Sequence, residues 1–109
     1  ERLQVPARVL SGGERRMLAL ARGLLISPTL LIVDEPSLGL APIVRDSVYK
    51  ALAGIVESGI AMLLIEEKAS HLHALADRIC VMERGRIVVE GAAAELLADR
   101  DRLMKAYLG

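Results

Sequence analysis

Two adjacent carboxylates, Asp34 and Glu35, close an unbroken apolar run from Leu30 to Val33 and are followed at once by Pro36. Acids at the carboxyl end of a buried parallel strand sit where layered α/β sheets take up ligands. Side by side, they suggest a division of labour in which one holds a divalent metal and the other accepts a proton from water. Taken alone, the same pair would serve equally well as the start of a solvated loop. A second constellation precedes it. Leu10-Ser11-Gly12-Gly13-Glu14 puts a serine where a helix N-cap belongs and two glycines directly after it. Without Cβ atoms an anion can approach the backbone N–H groups, and the helix dipole favours negative charge there. In isolation this is more simply a capped helix that begins with two small residues.

The elements that must position these residues follow from hydrophobic periodicity. Glu1 to Val9 is polar, carries Pro6 and reads as a connection. After Ser11, Met17, Leu20, Ala21, Leu24 and Leu25 recur at helical spacing. Arg15, Arg16 and Arg22 lie off that stripe, as a solvated face or a subunit contact would have them. Ser27-Pro28 ends the helix. Leu30 to Val33 and Ile60 to Ile65 are unbroken apolar strands, the second ending in Glu66 and Glu67. Strands of this kind belong to a parallel sheet covered on both faces. Between them Pro42 opens a helix to about Glu57, and Ser58-Gly59 closes it. A helix from about Ala69 to Ala76 is expected next. Two strands come after it, Arg78 to Glu83 and Arg86 to Glu90, joined by a tight Arg84-Gly85 turn. Ala92 to Leu108 has helical composition with a break near Asp99 to Asp101. The order α-β-α-β-α-β-β-α predicts a layered α/β fold.

Composition narrows the function classes. The chain has 109 residues, one small domain's worth. Lys plus Arg is 14 and Asp plus Glu is 14, so the net charge is zero. That balance argues against a partner held by bulk electrostatics, whether nucleic acid or anionic lipid. At 53% hydrophobic residues the chain is too apolar for disorder. Its longest uncharged apolar stretch, Gly23 to Val33, is interrupted by Ser27 and Pro28 and is too short for a membrane helix. With no Trp or Phe, the core must be built from Leu, Ile, Val and Ala, and part of that surface is expected to meet another chain segment. Cys80, the single cysteine, suits a reducing compartment and is expected as a small core residue of its strand. His71 and His73, two apart, would point to different faces of a helix, poor geometry for a shared metal.

Taken in order, the two constellations and the segments after them resemble the ATP-binding subunit of ABC transporters. Leu10 to Glu14 matches that family's signature motif, and Leu30 to Glu35 its Walker B strand. Ser37 to Leu40 falls at the D-loop and Leu63 to Lys68 at the strand leading to the switch loop. The hairpin around Gly85, followed by Gly91, matches the closing segment. More narrowly, Ser37-Leu38-Gly39-Leu40-Ala41-Pro42 is similar to the D-loop of the branched-chain amino acid importers. The ending, Ala94 to Asp99 with Ala106 to Gly109, is similar to that subfamily's C-terminus.

The resemblance implies a partial P-loop NTPase fold of ABC type, with a signature-motif helix, mostly parallel strands, and a C-terminal β-hairpin plus helices. It implies that 1–109 is the C-terminal portion of one ATPase domain. Residues 1–28 would end the helical subdomain, and 29–109 would carry Walker B, D-loop, switch region and closing segment. A phosphate-binding P-loop needs Gly-x-x-x-x-Gly-Lys-Ser/Thr. The only lysines are Lys50, Lys68 and Lys105, and none follows a glycine. Walker A would therefore lie in an N-terminal half outside these residues.

By the same resemblance, two subunits sandwich two ATP molecules. Ser11, Gly12, Gly13 and Glu14 would cap the γ-phosphate held by the other subunit. Asp34 would hold Mg²⁺ through water, Glu35 would be the general base, and Ser37, Leu38, Gly39 and Leu40 would form the D-loop. Most members place a His against the γ-phosphate at the switch; here Glu67 stands at that position. The implied cofactors are ATP and Mg²⁺. The implied partners are a second ATP-binding subunit, transmembrane permease subunits and the N-terminal half, with no nucleic acid. The implied location is cytoplasmic, peripheral on the inner face of the plasma membrane. Two other readings compete. An ABC-type ATPase of DNA repair or chromosome maintenance would bring long coiled coils and a basic DNA face, which these residues do not display. A truncated, non-catalytic piece would act only in assembly.

Overall fold

Ser11 begins the first helix, α1, which runs Gly12–Leu24. A capping box closes around it: the Glu14 N–H donates to Ser11 Oγ at 3.3 Å, and the Ser11 N–H donates to Glu14 Oε2 at 2.8 Å. Ahead of it, Ala7–Val9 forms one 3-10 turn after Pro6. The computed structural model describes residues 4–67, 72, 75–99 and 101. The chain divides into two compact units, Glu1–Glu67 and Lys68–Gly109.

In the first unit, strand β1, Leu30–Asp34, pairs in parallel with β2, Ala61–Ile65, from Leu30 opposite Ala61 to Asp34 opposite Ile65. The ladder reaches one rung past each end. Ala61 N–H donates to the Thr29 carbonyl at 3.1 Å, and Glu35 N–H donates to the Ile65 carbonyl at 2.9 Å. Helix α2, Pro42–Glu57, has proline at its first position, where the missing N–H costs nothing. Its buried residues, Val48, Tyr49, Leu52 and Ile55, recur at helical spacing and form one face.

The two apolar strands differ from expectation in their cover. Side chains alternate across a sheet, so Leu31, Val33, Met62 and Leu64 share one face, where they are buried or half-buried. Gly23 approaches that face: a Cβ there would lie 3.2 Å from Leu31 Cδ1. On the opposite face Leu30, Ile32, Leu63 and Ile65 are exposed, Ile32 to 63% and Leu63 to 54%. Within the described residues, this unit covers one face of its sheet and leaves an apolar face bare.

In the second unit, β3, Arg78–Glu83, and β4, Arg86–Ala92, form an antiparallel hairpin with a register shift between Val81 and Met82. Arg84 and Gly85 both have positive φ, 47° and 78°, as the two-residue turn that matches strand twist requires. Strand β4 runs two residues past the expected Glu90 and leads straight into α3, Ala93–Ala98. Ile79, Val81, Ala93 and Leu96 are the buried core, with Leu72, Ala76, Val89 and Leu97 packed on it. Cys80 corrects the sequence expectation: it is exposed, because the alternation that turns Ile79 and Val81 inward turns Cys80 outward. The helix expected at 69–76, both histidines and the chain beyond 101 lie largely or wholly outside the described residues. Helix α3 stops at Asp99, whose φ of −94° and ψ of 77° are not helical. Among the described residues no helix is long and apolar enough to cross a membrane.

Candidate functional site

The N-terminus of α1 is arranged to donate. In the first turn the Glu14 amide is taken by Ser11 Oγ, while Gly12 and Gly13 precede the first residue able to bond back into the helix. Their glycine identities have different causes. A Cβ on Gly12 would make ordinary contact with Leu40 Cδ2 at 3.4 Å. A Cβ on Gly13 would lie 2.2 Å from Val44 Cγ1, so α1 and α2 pack together at a point where no side chain fits. Next to Gly12 opens a cleft of about 450 Å³, with Gly12, Arg15 and Arg16 on one side and Leu38, Gly39 and Leu40 on the other. Gly12 from the first constellation and Leu38, Gly39 and Leu40 from the loop after Pro36 thus meet across one cleft. Arg15 and Arg16, expected as a solvated face or a subunit contact, line it. Arg15 Nη1 donates to the Leu10 carbonyl at 2.5 Å.

Asp34 and Glu35 sit at the carboxyl end of β1, Asp34 exposed and Glu35 half-buried. Glu35 has a φ of 43°, in the left-handed region that side-chain-bearing residues seldom adopt. The chain then turns through Pro36 and Ser37, with the Leu38 N–H donating to the Glu35 carbonyl and the Leu40 N–H to the Ser37 carbonyl, each at 3.2 Å. Gly39, at φ 73°, supplies the left-handed position of the second turn. Among the described residues no three His, Cys, Asp or Glu side chains converge as a metal cage. One exposed carboxylate at a strand end suits Mg²⁺, which keeps most of its waters and takes one or two carboxylates plus phosphate oxygens.

Sequence reasoning missed one cluster. Glu66, directly after β2, accepts from Ser37 Oγ at 3.3 Å and from the Tyr49 hydroxyl at 2.5 Å. Burial, followed by the Glu66 hydrogen bond, pushes the Tyr49 phenol up to about 12; a hydrogen bond with Ser37 and the Arg45 charge act the other way. Arg45 Nη2 reaches the Leu40 carbonyl at 3.5 Å, while its buried Nε has no acceptor among the described residues. The only sequence signal for this cluster was an acid at a strand end, and it was spent on Glu67. Glu67 is exposed.

Residues 1–38 match the family model described as ABC transporter. The fold agrees with it. The structure of MJ1267, an ATP-binding cassette of an ABC transporter, superposes with a TM-score of 0.83 at 27% identity, over 96% of this chain and 43% of that one. The chain belongs to the ATP-binding domains of ABC transporters. Among individual relatives, it is 42% identical over all 109 residues to the high-affinity branched-chain amino acid transport ATP-binding protein BraG of Pseudomonas aeruginosa, and spans 46% of it. It is 36% identical over 97 residues, 89% of this chain, to the Nod factor export ATP-binding protein I of Ralstonia nicotianae, and spans 30% of that protein. The chain therefore spans less than half the length of the relatives it matches.

Proposed function

We propose that this chain is the C-terminal portion of an ATP-hydrolysing subunit that powers an ABC transporter, importing branched-chain amino acids. The observation that carries the reading is the paired carboxylate at the end of β1, with Glu35 fixed by its N–H bond to the Ile65 carbonyl. In this reading Asp34 holds Mg²⁺ through water and Glu35 takes a proton from the attacking water. Ser11, Gly12, Gly13 and Glu14 cap the γ-phosphate of the ATP bound by a second subunit, and Ser37 to Leu40 form the D-loop beside them. Walker A is supplied by residues outside this chain. Mg²⁺, when bound, offsets charge on the phosphates; every other role falls to the side chains and amides named here. The subunit works at the inner face of the plasma membrane against transmembrane permease subunits.

The import assignment is supported by the Ser37 to Pro42 stretch and the match to BraG. Turnover in the reconstituted transporter that rises with leucine, isoleucine or valine and not with other solutes tests it. The catalytic part is tested by Glu35→Gln in the intact subunit, which keeps the shape but cannot accept the proton. Turnover should fall by roughly 10²–10⁴ while ATP-driven pairing survives. Near-normal turnover would remove Glu35 from the role of base. The absence of a Gly-x-x-x-x-Gly-Lys-Ser/Thr segment favours a second reading for the 109 residues by themselves, an assembly piece that releases phosphate no faster than buffer.

A further inference from the structure

Three stretches far apart in sequence meet at one carboxylate. Glu66 Oε2 accepts from Ser37 of the D-loop, and Oε1 accepts from Tyr49 of α2. Ser37 stands two residues after Glu35, whose N–H is bonded to Ile65, the neighbour of Glu66. The short segment from Glu35 to Ser37 is thus pinned at both ends to consecutive residues of β2 and its exit. Pro36, with φ fixed by its ring, lies between the pins. A left-handed backbone at a residue such as Glu35 persists only where its surroundings over-determine it.

We infer that Glu66 is a positioning residue, whose carboxylate tethers the Glu35–Ser37 turn to α2 and so keeps the Glu35 side chain aimed. The inference rests on the reading of Glu35 as the base. Both Glu66 oxygens are engaged inside the unit, which suits a tether better than a group taking protons from solvent. The raised Tyr49 phenol keeps its proton, and with it the donor end of the tether, well past neutral pH. The far end of the loop has a weaker hold, the 3.5 Å approach of Arg45 to the Leu40 carbonyl.

The test is made in the intact subunit, with Glu35→Gln run beside it. Glu66→Ala should lower kcat about tenfold or more with KM for ATP unchanged, because the base is misplaced and not removed. Glu66→Gln should restore most of the turnover: its carbonyl can accept from Tyr49 and its amide can donate to Ser37. Ser37→Ala added to Glu66→Ala should bring no further loss, since both break the same tether. Equal damage from Glu66→Gln and Glu66→Ala would make Glu66 a proton acceptor and overturn the inference. So would a Glu66→Ala protein with the kcat of the wild type while Glu35→Gln is inactive; that result leaves the reading of Glu35 intact. If Glu35→Gln turns over like the wild type, the base is misread and the tether has nothing to aim.

Discussion

Gly13 of α1 stands so close to Val44 of α2 that a Cβ on it would lie 2.2 Å from Val44 Cγ1. A β-branched side chain has little rotamer freedom with which to retreat. Packing therefore demands glycine at this position whether or not a ligand ever approaches it. At Gly12 the nearest atom, Leu40 Cδ2, leaves room for a methyl group.

The two glycines should part company on mutation. Gly13→Ala is expected to destabilise the protein by about 1–3 kcal/mol through overpacking, read as a lowered melting temperature. Gly12→Ala should melt like the wild type yet weaken ATP-driven pairing of intact subunits, seen by size-exclusion chromatography with and without ATP. A Gly13→Ala protein with unaltered melting would contradict the packing argument.

Tyr49 gives the fold an alkaline limit. Its phenol is held at about 12 against an ordinary value of 10, so the folded state favours the neutral form. That contribution is fully present below pH 10 and is lost as pH climbs through 12. Absorbance of the phenolate in the native protein should show one tyrosine ionising near pH 12. Glu66→Ala should bring it earlier, and a Tyr49 that titrates at its ordinary value in the wild type would refute both its burial and the hydrogen bond to Glu66.

Glu67 presents a different electrostatic problem. An ionised carboxylate can accept a hydrogen bond but cannot donate one to a phosphate oxygen. At ~4 Å in a partly shielded site the two negative charges would repel by a few kcal/mol. The side chain is exposed, so it can turn to solvent. Glu67→Gln in the intact subunit is expected to retain or raise ATPase activity. A fall of more than tenfold at unchanged ATP affinity would assign Glu67 a direct catalytic role.

Cys80 offers the simplest check on the hairpin. It points outward from β3, so a thiol reagent should label it in the folded protein about as readily as in denaturant. Protection in the native state would place it inside and reverse the strand's alternation.

Local features were legible in the sequence. The Ser11 cap, Pro42 at the head of α2 and the Arg84-Gly85 turn are each decided by residues a few positions apart, and each forms where its chemistry points. The Glu66 cluster was invisible, because Ser37 is 29 positions away and Tyr49 is 17, and only folding brings them together. Expecting Cys80 in the core put residue type above register; the Ile79 and Val81 alternation already contained the right answer. The unbroken strands promised cover on two faces. Residues 4–67 provide it on one, since an apolar run records how a strand is to be buried but not by which segment. Arg15 and Arg16, expected as a solvated face or a subunit contact, keep that character in an open cleft; the turn at Leu38 to Leu40 opposite them is what spacing along the helix could not announce.

The capping box also bears on repetition. Ser11 Oγ uses a lone pair to receive the Glu14 amide, which leaves its own proton free to give. A phosphate oxygen could take that proton, together with the Gly12 and Gly13 amides, without a single bond of the cap being broken. Arrival would not unwind the helix, and departure would leave no frayed end to mend. A part built this way could pass through a very large number of cycles without wear, because a contact made and lost there would never be one that holds the part together.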